Sequence, residues 1–410
     1  MAKKENRHAE LVSASANIDA PYELPEGWEW CRLPECVSIV TGKKDANYGT
    51  PDGKYLFFTC AEQPLRCDDY SFEGESLLLP GNGANVGQVI YYDGQFEVYQ
   101  RTYVLQKIIE SFSLKYLYYH ILGFWENYNH DKQYGSATNY IKMGNFLNYI
   151  FPLPPTLTEQ QRIVNRVETM FAKLDEAKEK AQNVVARFET RKAAILHKAF
   201  SGQLRIDNEE LTIANREDTT IGECCKLGSG GTPSKSHPEY YENGIIPWLK
   251  TGEIDWKDIY EVGKKIAHEG VDNSSAKNFP AESVVVAMYG MGVTRGKAAI
   301  IKIPTTTNQA VCVLQPNKKL NNRFLFYYFM CNYWQIREQS VGGNQLNLSG
   351  KIIASFPIKL PPLNYQLSIV NFLDTVLEKE SRAKEAAKTV LDQIALLKKS
   401  ILARAFRGKI

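Results

Sequence analysis

The chain has 410 residues, 44% of them hydrophobic and 23% charged, a globular composition with room for roughly two to four domains. A net charge of +3 excludes strong global attraction to nucleic acid, so any basic binding face has to be local. No apolar run long enough for a transmembrane helix occurs, and the eight cysteines contain no CxxC pair. The expectation is therefore a cytoplasmic protein with reduced thiols, no membrane contact and no structural metal site.

Residues 1–20 are polar and small and read as a flexible tail. The first body, 21–156, carries strand-like runs KYLFFT (54–59), SLLLP (76–80), QVIYY (88–92) and TYVLQKI (102–108), bounded by Gly, Pro, Asn and Asp. SLKYLYYHILGFWENYNH (113–130) follows as an aromatic-rich helix whose rings read as core. Pro154-Pro155 then stops the chain, and Thr158 or a neighbour caps a long helix over 157–203, closed by Gly202. A linker is expected over 204–218. The second body, 219–362, repeats the plan with IIPWLK (245–250), SVVVAMYG (283–290), KAAIIKI (297–303), AVCVLQ (310–315) and the helix NRFLFYYFMCNYWQIREQ (322–339). A second long helix fills 363–410 and meets its glycine at Gly408.

The two halves share more than a plan. Shifted by 206 residues, the first long helix falls on the second, with Ile195/Ile401, Ala199/Ala405, Phe200/Phe406 and Gly202/Gly408 identical. Within the bodies, GNGANVG (81–87) falls on GMGVTRG (290–296), and QYGSATNYI on SVGGNQLNL. Both helices carry apolar residues at alternating spacings of four and three, the seam of a coiled coil. Its core is expected to hold Val167, Met170, Leu174, Val184 and Phe188 from the first helix. Leu373, Val376, Val390, Ile394 and Leu397 are expected from the second. Each seam is broken once, at Arg191 and at Glu380; the latter reads as an opening or as a polar contact with a partner. Two equivalent halves in one chain close most simply with pseudo-two-fold symmetry, which makes the helices antiparallel. The fold class is α+β: two tandem α/β bodies separated by two long helices.

The glycine loops do not bind nucleotides in the usual way. Both read GxGxxxG and lead into a strand, so the helix N-terminus that cradles phosphate is missing. They read instead as hairpin tips. Asn82 and Asn85 on one, and Thr294, Arg295 and Lys297 on the other, are candidates to face a partner, Asn and Arg being the types that pair with adenine and guanine edges. The basic loops 41–55 and 228–241 suit phosphate contact and supply Lys43, Lys44, Asn47 and Lys235. Arg101, Ser136, Thr138, Asn139, Lys250, Asn344 and Gln345 complete the candidate DNA-contacting set. No NPPY-like methyltransferase loop, HExxH or GxSxG occurs, and the six histidines share no ligand spacing, so no catalytic residue is assigned.

LPEGWEW (24–30), LPPTLTEQQRIV (153–164), AILHKAFSGQL (194–204) and IGECCKLGSGGTPSKSHPEYYENGIIPWLKTGEI (221–254) together resemble the specificity subunit of type I restriction-modification systems. The resemblance covers nearly all the chain beyond residue 20. It implies a non-catalytic reader of double-stranded DNA, each body being a target recognition domain for one half of a split site. The helices would set the gap and dock two modification subunits, and two restriction subunits would join for cleavage. The chain would bind no cofactor, since S-adenosylmethionine and ATP are used by those partners. The resemblance would explain the matching helix ends as equal surfaces shown to identical partners. The second copy departs from the family's hinge wording, with Tyr365 and Leu367 where the first has Glu159 and Gln161, which bears on equal docking. Three other readings remain beside this one: the methyltransferase itself, a coiled-coil adaptor with two protein-binding heads, and a reader in a related restriction system with a different nuclease.

Overall fold

The computed structural model describes residues 21–134, 139–202, 205–206, 209–210, 216–290, 292–342 and 346–410. In chain order the first body holds β1 (Glu29–Arg32), α1 (Leu33–Cys36), β2 (Val37–Thr41), β3 (Tyr55–Phe58), β4 (Leu65–Cys67), β5 (Phe72–Glu73), β6 (Ser76–Pro80), β7 (Ile90–Tyr92), β8 (Gln95–Val98), β9 (Thr102–Lys107), α2 (Leu114–Asn129), α3 (Met143–Leu147) and β10 (Ile150–Leu153). The long helix α4 (Leu157–Phe200) and a small hairpin, β11 (Arg205–Ile206) with β12 (Glu209–Glu210), lead to the second body. That body holds β13 (Glu217–Thr220), α5 (Ile221–Cys224), β14 (Cys225–Ser229), β15 (Ile246–Leu249), β16 (Asp258–Ile259), β17 (Lys265–Ile266), α6 (His268–Asp272), β18 (Asn278–Phe279), β19 (Val284–Ala287), β20 (Ala298–Ile301), β21 (Thr305–Thr307), β22 (Val311–Pro316), α7 (Asn322–Cys331), α8 (Tyr333–Glu338), α9 (Gly350–Ser355) and β23 (Pro357–Leu360). The helix α10 (Leu363–Ala405) closes the chain.

The repeat read from the sequence is a repeat of topology. The first body pairs β1 with β10 and builds sheets in the orders β2-β9-β6-β7 and β4-β3-β8-β5. The second pairs β13 with β23 and builds β14-β22-β19-β20-β16 and β17-β15-β21-β18. Even the parallel pair recurs, β3 with β8 and β15 with β21, among antiparallel neighbours. The apolar runs became strands because they alternate or are buried on both faces; all residues of β6, β19 and β20 are buried. The glycine loops are hairpin tips, between β6 and β7 and between β19 and β20.

The chain divides into two compact units that cut across the repeats. The first takes residues up to Gln182 together with Lys388–Ile410; the second takes Asn183–Ala387. Each unit is thus one body, the start of that body's own helix, and the end of the other repeat's helix. Thr156 caps α4, its hydroxyl accepting from the Glu159 amide at 3.2 Å, two residues before the expected cap. One turn into each helix lies a buried glutamine common to both copies. Gln160 accepts from the Ser113 amide at 2.8 Å, and Gln366 from the Asn321 amide at 2.8 Å. Ser113 and Asn321 are themselves the N-caps of α2 and α7. The shared glutamine therefore locks each long helix to its own body.

The far helix ends are buried too. In the first unit Leu402, Ala405 and Phe406 join Tyr116, Ile121 and Trp125 in one core. The Phe406 ring sits 5.0 Å from Tyr116 and 4.8 Å from His120. His120 is completely enclosed, so burial drops its pKa to about 3; it is neutral and meets the Tyr149 hydroxyl at 2.9 Å. In the second unit Leu196 and Ala199 join Phe324 and Phe329, and the Phe200 ring lies 5.1 Å from Phe324 and 5.7 Å from Tyr328. Burial accounts for the shared apolar residues of the matching ends, which fill equivalent sockets within the chain.

Where the long helices meet, they run antiparallel. Within the first unit Arg162 donates to the Ile410 carbonyl, and Lys398 reaches Asp175 at 2.6 Å. Within the second, Glu189 lies 3.3 Å from Lys384 and Arg191 2.8 Å from Glu380. The two seam breaks therefore meet each other, so Glu380 marks neither an opening nor a waiting partner contact. Val167, Phe188, Leu373 and Ile394 are buried as expected, with Met170, Leu174, Val184 and Val376 half-buried. Val390 and Leu397 are exposed, a correction to the sequence reading. A straight helix advances at 3.6 residues per turn and not 3.5, so the covered stripe drifts by one position to Leu391, Ile394, Lys398 and Leu402.

Phe406→Ala should cost the first unit about 3–5 kcal/mol, the range for emptying a buried aromatic site. Hydrogen exchange resolved by peptide is the check. Protection should fall across residues 113–130 and stay unchanged over 321–339.

Candidate nucleic-acid interface

One end of each body gathers the loops that carry the sequence candidates. In the first unit the segment after β2 lies against the end of β8. A Cβ on Gly42 would stand 1.9 Å from the Val98 carbonyl oxygen, so only glycine allows the approach. Lys44 then bridges Tyr99, and the Gln100 amide donates to its carbonyl at 2.9 Å. The 81–87 loop joins the same place. The Gly81 amide donates to the Arg101 carbonyl at 2.8 Å, the Gly83 amide to Asn139 at 2.9 Å, and Asn82 bridges Tyr140. Lys44, Asn82, Asn85, Arg101 and Asn139 thus come from four separate segments to one loop cluster. Ser136 and Thr138 lie outside the described residues.

Not all of these side chains are equally available. Arg101, Asn139, Lys43 and Asn47 are exposed. Asn85 is engaged at both ends: its amide donates to the Cys60 carbonyl at 2.8 Å and its oxygen accepts from Gln88 at 3.0 Å. Lys44 lies 3.9 Å above the Tyr48 ring and 3.5 Å from Asp69. Its hydrogen bond with Tyr48 and the nearby carboxylate raise its pKa, while Tyr48 and Lys44 lower that of Asp69. The sequence reading missed Lys142, whose ammonium lies 4.2 Å over Tyr134, a ring stacked on Tyr140. Its signal was available: a lysine two residues after the second of two closely spaced tyrosines, Tyr134 and Tyr140.

The second unit repeats the scaffold with other side chains. A Cβ on Gly230 would stand 1.9 Å from the Thr307 carbonyl oxygen, the same close approach as at Gly42. Lys250 lies 4.8 Å over Trp248. Burial lowers its pKa, followed by repulsion from Lys264 and Lys235. Three cations from separate segments therefore converge, with Glu253 the nearby carboxylate. Lys264 was not among the sequence candidates, because nothing in the chain order ties it to the other two.

The tip 290–296 departs from the expectation. The Arg295 guanidinium donates to the Leu346 carbonyl, and its Nε is buried without a partner among the described residues. Arg337 donates to the carbonyls of Arg295 and Gly292, and the Tyr333 hydroxyl donates to Val293. Burial, then Arg337, lowers the Arg295 pKa. Lys297 is mostly covered and pairs with Asp255 at 2.5 Å. Arg295 and Lys297 are thus bound to their own unit and not displayed, because loop carbonyls and a carboxylate lie within their reach. Thr294 is half-buried, its carbonyl accepting from the Lys297 amide at 3.0 Å. Lys235 is exposed. Asn344 and Gln345 lie outside the described residues.

Residues 25–187 and 214–391 match the family described as Type I restriction modification DNA specificity domain. The chain belongs to this family. Each specificity domain, as matched, holds one body and most of its own helix and stops short of the helix end that plugs the other unit. The EcoDI specificity subunit of Escherichia coli, a type I restriction enzyme component, is 24% identical over 414 residues, 95% of this chain and 90% of that one. The fold of the HsdS subunit from Thermoanaerobacter tengcongensis matches with a TM-score of 0.67 at 19% identity, over 96% of this chain and all of that one. A chain solved in work on complex assembly and conformational transition of the type I R-M system matches with a TM-score of 0.69 at 19% identity, over 95% of this chain and all of that one. No helix among the described residues is long and apolar enough to cross a membrane.

Arg295→Ala should destabilise the second specificity domain by about 0.5–1.5 kcal/mol, the net worth of the hydrogen bond it gives the exposed Leu346 carbonyl. Arg101→Ala should stay within about 0.5 kcal/mol, as for an exposed side chain. Urea unfolding of the two variants compares them directly.

Proposed function

We propose that this chain is the non-catalytic DNA-reading subunit of a type I restriction-modification complex. Each loop cluster contacts one half of a split site on double-stranded DNA. The paired helices set the gap between the halves and help dock two modification subunits, with two restriction subunits joining the assembly. The chain holds no cofactor; S-adenosylmethionine and ATP are used by the modification and restriction subunits.

One observation carries this reading. The two units place loops at the same topological position, on the same close-approach glycines Gly42 and Gly230, yet arm them with different side chains. Lys44, Asn82, Arg101 and Asn139 stand on one; Lys235, Lys250 and Lys264 stand on the other. A constant scaffold with variable loops is what two readers of two different half-sites require. Repulsion among Lys250, Lys264 and Lys235, only partly offset by Glu253, suits this loop end to an anionic partner rather than to a purely structural adaptor. Phosphate oxygens relieve that repulsion, and such contacts position a protein on DNA without specifying sequence.

The test separates backbone contact from base reading. The double variant Lys250→Gln, Lys264→Gln is assembled with modification subunits and titrated onto duplex at several salt concentrations. The slope of log affinity against log salt should become shallower by roughly two, about 0.9 per lost phosphate contact. Preference among sequences should persist. An unchanged slope would remove these lysines from the interface.

A further inference from the structure

The second unit contains a groove of about 710 Å3 between the last turns of α4 and the break between α7 and α8. Leu196 and Phe200 form one wall; Trp256, Met330 and Trp334 form the other. Trp334 is 65% exposed at the rim of this groove. The wall contributed by α4 runs from Glu189 to Phe200, about 17 Å at 1.5 Å per residue, or roughly three helical turns.

Comparison with the first unit shows why the groove is there. Counted from the N-caps Ser113 and Asn321, Gly123 of α2 matches Cys331. At Gly123 the helices nearly touch: an added Cβ would lie 3.1 Å from Leu402. At Cys331 the side chain is present, and the helix ends there, restarting at Tyr333. The charge differs as well. Lys398 in the first unit is paired with Asp175 at 2.6 Å and lies over Phe171 at 4.8 Å. Its counterpart Lys192 lines the groove, and the position matching Asp175 is Ser381. Lys192 is half-buried and has no ion pair or hydrogen bond among the described residues. The carboxylates nearest to it are already engaged, Glu189 with Lys384 at 3.3 Å and Asp255 with Lys297 at 2.5 Å.

We infer that this groove docks a helix of a partner protein, one that inserts a bulky apolar side chain between Phe200 and Trp334 and offers a carboxylate to Lys192. The length of the wall fits a helix of about three turns, and the aromatic rim fits the anchor such a helix uses. Gly123 against Leu402 and the Lys398–Asp175 pair close the matching position of the first unit, so an occupant here breaks the equivalence that the two repeats otherwise impose. The inference rests on the reading that the chain works within a multi-subunit assembly.

The test uses the complex assembled from the full chain and the modification and restriction subunits of its own system. Trp334→p-benzoylphenylalanine is irradiated in that complex and the cross-linked peptide sequenced. The expected product is one partner segment with an acidic residue three or four positions from Leu, Phe or Trp. Lys192→Glu should cut its yield at least tenfold, and replacing the partner's carboxylate by lysine should restore it. A product lacking the carboxylate, a product with DNA, no product, or a yield indifferent to Lys192→Glu overturns the inference. Sequence-specific DNA binding by the same variants, measured in parallel, keeps that failure distinct from failure of the DNA-reading role.

Discussion

The structure depends on how each unit closes its core. Neither repeat is complete alone: the aromatic socket around Tyr116 and His120 is filled by Phe406, and the socket around Phe324 by Leu196, Ala199 and Phe200. A buried aromatic plug of this kind is worth several kcal/mol, comparable with the net stability of a small domain. Each long helix is therefore held at both ends, at its start by Gln160 or Gln366 and at its finish by the plug.

Between its fixed ends the seam is specified by charge. Arg191 and Glu380 replace apolar residues where the helices meet and pair at 2.8 Å. A polar pair at a seam position commonly sets register, because a slip would leave each charge against an apolar neighbour. The identical residues of the two helices include the glutamines that lock their starts, Gln160 and Gln366, and the plug residues Leu196/Leu402, Ala199/Ala405 and Phe200/Phe406. Differences accumulate where the repeats take unequal tasks, as at Asp175 against Ser381 and Gly123 against Cys331.

Much of this was legible in the sequence. The strands around Leu77, Val285, Val104 and Val313 announced themselves by apolar runs between turn residues, and the long helices by their period. The family wording then tied the parts together. What escaped were the facts that need three dimensions. Arg295 looks like a base reader by residue type, yet its guanidinium donates to the Leu346 carbonyl, 51 residues away. Lys264 joins Lys250 only because β15 and β17 pair side by side. The identity of Phe200 and Phe406 was visible, but the sockets they fill were not, since a shared socket and a shared partner leave the same mark on a sequence. The drift that exposes Val390 and Leu397 accumulates gradually and is invisible in a window of two heptads.

The central claim is that one chain carries two independent readers of a single split site. The most direct measurement is a map of adenine methylation across the host genome with and without the gene. The expected result is the loss, on deletion, of one two-part motif with a fixed unspecified gap. Exchanging the second body for that of a relative should then change one half of the motif and preserve the other half and the gap. A map indifferent to deletion while the modification partner is expressed would contradict the claim.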